Sequence, residues 1–150
     1  MLKSLIIALS VLAAGCASNS TGETIHYYQA ETTKPYEDVL SELEIAITEK
    51  NFRITGHSHV GKVIREREHI DFPEYDTIQF CNLTYAKQML LISPHTVRHM
   101  PCNIVTYTID DKVIVQTRLL PTDTVNQELN QFSEKMNLIL QQIVDFTVEE

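Results

Sequence analysis

The chemistry-bearing residues of this chain gather between Ile78 and Val105, where Cys81, Cys102, His95 and His99 sit among apolar strand-like runs. Alternation along two antiparallel strands, one ending at Cys81 and one beginning at Cys102, would put Cys81 on a face with Gln79 and Cys102 on a face with Thr106 and Thr108. Ile78, Phe80, Val105, Tyr107 and Ile109 would then point to the buried side. Both thiols are thus expected on a polar sheet face, close enough to bridge. Four outcomes remain open for the pair. A structural disulfide would contribute about 3 kcal/mol by closing the loop. A redox-active or sulfur-carrying dithiol, metal ligation and two free thiols are the others. The CxxC spacing that lowers thiol pKa in disulfide oxidoreductases is absent.

The histidines offer a second chemistry. His95 and His99 are four apart, a metal-binding spacing only on a helix, and Pro94 and Pro101 bracket them and favour a loop. His57 and His59 are two apart on a strand-like stretch and would share a face. With Cys81, Cys102 and Met100 these imidazoles could form a soft copper or zinc site, although no motif fixes such a geometry. The primary expectation is therefore no metal and no cofactor. His57, His59, His95 and His99 are the alternative ligand set. Asn82 is either a ligand contact or the cap of the following helix, with Thr84 as the competing cap. The run Arg65-Glu66-Arg67-Glu68-His69 reads as a solvated face, and no nucleophile elbow or triad is present, so no enzymatic activity is expected.

Composition narrows the partners. The chain has 150 residues, 43% hydrophobic and 21% charged, enough for one domain. Net charge is −8, and it becomes −9 when Lys3 leaves with the leader described next. An acidic surface repels phosphate backbones, so nucleic acid is not an expected partner. Four Gly and no Trp argue against Gly-rich phosphate loops and Trp-lined sugar platforms.

Residues 1–15 read as a lipoprotein signal peptide. Lys3 precedes an apolar run from Leu5 to Ala14 that is too short to span a bilayer, which takes about 20 residues. Ala13-Ala14-Gly15-Cys16 resembles a bacterial lipobox, with Ala13 where Leu is preferred. That resemblance implies cleavage before Cys16, lipid on Cys16, and a membrane as partner. Ala17 after the Cys implies sorting to the periplasmic face of the outer membrane. Residues 16–24 then form a small, polar, flexible tether. The domain over 25–150 is expected outside the cytoplasm, where disulfides persist.

The elements that must position these residues follow in order. Ile25 to Ala30 reads as a strand. Thr33 could cap a helix starting near Pro35, in which Tyr36, Val39, Leu40, Leu43 and Ile47 share a stripe. Lys50-Asn51 would close it, Asn tolerating the left-handed conformation. Phe52 to Val60 reads as a strand, and Lys62 to Glu74 as either a short helix or a lid-like loop. A strand over 77–82, a short helix over 83–92 and two strands over 103–109 and 112–119 follow, the last pair joined at Asp110-Asp111. Thr124 and Gln127 fit a capping box. The series Val125, Leu129, Phe132, Met136, Ile139, Ile143 and Phe146 then predicts one long helix across the sheet rather than a coiled-coil seam. Helices segregated from an antiparallel sheet make a two-layer α+β domain.

Phe80-Cys81-Asn82, then Ala86, Leu90, Ser93-Pro94, Met100-Pro101-Cys102 and Val105-Thr106-Tyr107, resemble the domain of unknown function 302 family. The helix from Pro35 to Lys50 followed by Phe52 fits the family's opening, and the resemblance covers about residues 25–148. It departs at Leu83, where Pro is usual, and at Asn51, where Gly is usual. The resemblance implies a β-α-β4-α fold with a sheet like that of the TATA-binding protein, helices on one face, and no known activity.

Together these readings predict a lipid-anchored cell-envelope protein whose domain binds a small ligand or an envelope protein without catalysis. Asn82, His95 and His99 beside the two cysteines are its candidate contacts. The competing expectations are a periplasmic dithiol redox or sulfur-carrying protein and a copper or zinc carrier. A homodimer through the sheet edge or the long helix is compatible with either.

Overall fold

The computed structural model describes residues 25–149. The expected signal peptide, the expected lipidation of Cys16 and the whole tether lie outside the described residues. Five strands form one antiparallel sheet. They are β1 (Tyr27–Thr32), β2 (Arg53–His59), β3 (Tyr75–Cys81), β4 (Cys102–Ile109) and β5 (Lys112–Arg118), in the spatial order β1-β5-β4-β3-β2. The helices are α1 (Tyr36–Glu49), α2 (Val60–Glu68), α3 (Leu83–Ile92) and α4 (Gln127–Val148), with a 3-10 turn over Pro94–His99. Helices lie on one side of the sheet, so the architecture is the two-layer α+β arrangement expected.

Helix α1 buries Val39, Leu40, Leu43, Ala46 and Ile47, a stripe at helical spacing. Pro35, not Thr33, precedes its first turn, and no side chain caps it. Thr33 is therefore not the cap. The helix ends as expected: Asn51 takes φ 62°, and the Phe52 amide donates to the Ile47 carbonyl at 3.2 Å, as in a Schellman closure. The hairpin between β4 and β5 turns on Asp110 and Asp111, at φ 49° and 60°. Two consecutive positive φ values are what a tight hairpin demands, and Asp meets them without Gly.

Helix α4 lies across the sheet. It buries Leu129, Phe132, Met136, Leu140, Ile143 and Val144. Leu140 and Val144 replace the expected Phe146, which is exposed, because an uncoiled helix keeps a 3.6-residue period rather than 3.5. Its cap is Asn126, whose Oδ1 accepts from the Leu129 amide, so the Thr124–Gln127 box does not form. Val125 is left outside the helix and fully exposed. The Asn137 amide, buried on the same helix, bonds both the N–H and the C=O of Leu120 at 2.8 and 2.9 Å and ties the chain after β5 down.

Residues 60–68 are a helix and not a lid. Its Gly61 lies against backbone: a Cβ there would come within 2.3 Å of the Pro73 carbonyl oxygen and 2.8 Å of the Tyr75 nitrogen. Only Gly permits α2 to dock this closely on the strand that follows. The segment packs beside the start of β3, at the end remote from Cys81.

The phase of β4 corrects an expectation. Ile104 and Thr106 face the helices and are buried, whereas Val105 and Tyr107 are half-buried and Ile109 is exposed. The stretch Asn103 to Ile109 alternates Ile-Thr-Thr on one side and Val-Tyr-Ile on the other, so apolar content alone does not choose a side. Partners choose it. Thr106 turns inward because its hydroxyl meets the Tyr36 hydroxyl of α1 at 2.8 Å. Replacing Ile104 with Ala is expected to cost about 3 kcal/mol of unfolding free energy, and Val105→Ala about 1 kcal/mol or less. Urea unfolding of the two variants measures the difference, and equal losses would contradict this register.

Candidate functional site

The strand register places the two cysteines. Phe80 pairs with Cys102 and Arg53 with Cys81. Cys102 is in phase with Ile104 and Thr106 and so faces the helices. Cys81 is in phase with Thr77 and Gln79 and belongs, by alternation, to the open face at the strand's last residue. The two thiols therefore do not share the polar sheet face as expected, although both line one small cavity at this end of the sheet. Both are free thiols in this structure.

That cavity holds about 30 Å³. Cys81, Cys102, Met89, Met100 and Met136 supply its sulfur, and Phe52, Tyr85, Phe132 and Leu120 its apolar walls. Small-molecule pockets are typically about ten times larger or more. Burial among these side chains pushes the Cys102 thiol up to about 11, and the neighbouring Cys81 adds to the shift. An apolar wall cannot solvate a thiolate, so Cys102 stays protonated at neutral pH.

The other expected contacts are only partly brought together. Asn82 caps α3, its Oδ1 accepting from the amides of Thr84 and Tyr85 at 2.9 and 3.1 Å. Its Nδ2 donates to the Asn51 carbonyl at 2.8 Å. It borders the cavity, yet both ends of its amide are committed to the fold. Thr84 is not the cap. Leu83 falls at the first helical position and is 82% exposed, so the Pro usual in the family and the Leu found here serve the same position.

His95 and His99 do not form a pair. They lie on a 3-10 turn, where four residues advance the chain by one and a third turns and point the side chains apart. His95 is exposed and His99 buried. Nη2 of Arg118 lies 2.7 Å from His99 Nδ1, and Nε of Arg98 lies 3.2 Å from its Nε2. With a guanidinium at each ring nitrogen, His99 could offer a metal a lone pair only after one arginine moved.

His57 and His59 do share a face, as expected, but far from the cysteines. They lie at the opposite end of the sheet, beside Asp76 at the start of β3. The proposed union of His57, His59, Cys81, Cys102 and Met100 in one site is therefore excluded by strand length. Asp76 and Cys81 are five residue steps apart along β3, about 17 Å of extended chain. Asp76, Met89 and Arg118 escaped the sequence reading. Only Asp76 left a signal: it is in phase with Ile78 and Phe80, so a carboxylate sits where a core residue belongs.

The thiol of Cys102 makes a direct prediction. With a pKa near 11, roughly one molecule in ten thousand carries the thiolate at pH 7. Native-state alkylation at Cys102, followed by peptide mass spectrometry, is expected to accelerate about tenfold per pH unit from 7 to 10. A rate that levels off by about pH 9, near the ordinary thiol range, would contradict the burial.

Comparison with known proteins bears on the fold. The model of the family described as "Domain of unknown function DUF302" matches residues 28–145. A solved structure, that of an uncharacterized conserved DUF302 protein from Bacillus stearothermophilus, is similar with a TM-score of 0.69. The likeness covers 81% of this chain and 97% of that one at 16% identity, and so it speaks to the fold alone. No curated protein matches the sequence. Matched over most of its length and folded in the same way, the chain belongs to the DUF302 family of domains of unknown function.

Proposed function

We propose that this protein is a non-catalytic binding domain, held at the cell envelope by lipid on Cys16, whose sulfur-lined cavity takes a soft metal ion of the cuprous type. The carrying observation is the gathering of two cysteines and three methionines on one apolar cavity of about 30 Å³. That volume suits an ion and not a metabolite. Thiolate and thioether sulfur select Cu(I), whose binding displaces the thiol proton that burial otherwise retains. The support for the anchor is the sequence of residues 1–16.

The dithiol redox reading retains one supporting observation: Cys81 lies near enough to Cys102 for its charge to raise that thiol's pKa. A redox nucleophile needs the opposite shift, which ranks this reading second.

Intact mass of the protein purified from envelopes tests both parts. The expected spectrum shows loss of residues 1–15 and an acyl adduct on Cys16. Cys81 and Cys102 should alkylate without prior reduction. After anaerobic loading with a cuprous salt, native spray should retain about one copper per chain, and Cys102→Ser should release it. Thiols that alkylate only after strong reduction, or copper lost during desalting, would overturn the cavity's assignment. An unlipidated Cys16 would overturn the anchor.

A further inference from the structure

At the other end of β3 a second cluster has no part in the cavity. Asp76 is 4% exposed and sits beneath the helices at the position that pairs with His59. Its Oδ1 lies 2.8 Å from His57 Nε2 and 2.6 Å from His59 Nδ1. Its Oδ2 accepts from the Tyr36 hydroxyl at 2.8 Å. The two imidazoles lie with ring centroids 3.9 Å apart and planes 35° from each other, both aimed at one carboxylate oxygen. On the far side of His57, Nδ1 faces Glu44 Oε1 at 3.6 Å.

We propose that His57 Nε2, His59 Nδ1 and Asp76 Oδ1 bind a divalent transition-metal ion of the zinc class, with an open position toward solvent. The three ligand atoms already lie within 4.8 Å of one another. Zinc–ligand bonds of about 2.0–2.2 Å on a tetrahedron separate neighbouring ligands by about 3.3 Å. His57 therefore has to retreat from the carboxylate by only about 0.5 Å and His59 by about 0.7 Å.

The surrounding groups fit that role. A metal-bound histidine ordinarily gives its other N–H to a carboxylate or carbonyl, and Glu44 Oε1, 3.6 Å from His57 Nδ1, is a carboxylate that a small side-chain movement brings into that role. Tyr36 fixes the carboxylate by its second oxygen, leaving Oδ1 for the metal. His59, about half exposed, leaves a way in and room for water. Two imidazoles and one carboxylate suit zinc, iron or nickel. Calcium and magnesium require more oxygen ligands than this cluster holds. Metal entry balances without net proton release when the imidazoles are neutral. The proton on His57 moves from Nε2 to Nδ1 beside Glu44, and that on His59 from Nδ1 to Nε2 in solvent.

The site is independent of the sulfur-lined cavity, and its test separates the two. The full chain, stripped with a chelator, is titrated with Co²⁺ as a spectroscopic substitute for zinc. The expected result is a set of visible d–d bands that saturates at about one equivalent, lacks a thiolate charge-transfer band, and disappears on adding Zn²⁺. His59→Gln and Asp76→Asn are each expected to weaken Co²⁺ binding about 100-fold or more, and Glu44→Gln about 10- to 100-fold. Glu44 and His59 are on the surface, so their variants keep the fold, as circular dichroism would verify. Absence of d–d bands at millimolar Co²⁺ would overturn the proposal. So would bands carrying thiolate charge transfer that vanish in Cys81→Ser/Cys102→Ser, or binding left unchanged by His59→Gln.

Discussion

The pleat of β3 governs what each end of this domain can do. Successive side chains on a strand alternate faces, and only one face of the sheet is covered by helices. Ile78 and Phe80 fill the core completely, and Phe80 meets Phe52 edge to face at 5.3 Å. A one-residue slip would carry both into solvent, so the register has no freedom. Asp76 is bound to go inside with them, and Cys81 to go out. Antiparallel pairing then transmits this choice to the neighbours, setting Cys102 opposite Phe80 and His59 opposite Asp76.

The buried carboxylate is tolerated because it is surrounded. An unpaired Asp in the core would cost several kcal/mol, whereas Asp76 meets Tyr36, His57 and His59 at hydrogen-bond distance. Burial, with the same carboxylate adding to it, holds the Tyr36 phenol far above its usual range. Tyr36 in turn reaches Thr106, joining α1 to β3 and β4 through polar contacts at the rim of an otherwise apolar core. At the opposite rim the chemistry is sulfur. Strand length keeps the two donor sets about 17 Å apart, so imidazole and carboxylate do not compete with thiol and thioether for one ion.

Much of this was legible in the sequence, and what was not has physical causes. Helix α1, the left-handed Asn51, the Asp110-Asp111 hairpin and the helix crossing the sheet are each specified by local chemistry, and each was readable. The face of β4 was not, because Ile104-Thr106 and Val105-Tyr107 are equally amphipathic until Tyr36 arrives from 70 residues earlier in the chain. Placing Cys102 on the wrong face followed from that single ambiguity. The pairing of His57 with His59 was legible from strand period, but their carboxylate came from another strand. Pro94 and Pro101 already spoke against an α-helix around His95 and His99, and the chain there is wound more tightly, as a 3-10 turn that sends the two rings apart.

X-ray absorption fine structure on the full chain loaded with less than one equivalent of zinc tests the separation of the two ends most directly. Burial holds Cys102 protonated, so zinc should go first to the imidazole and carboxylate end. The expected spectrum shows nitrogen and oxygen neighbours at about 2.0–2.1 Å with imidazole outer-shell scattering and no sulfur. A sulfur shell near 2.3 Å would place the metal at Cys81 and Cys102 and contradict the division of chemistry along β3.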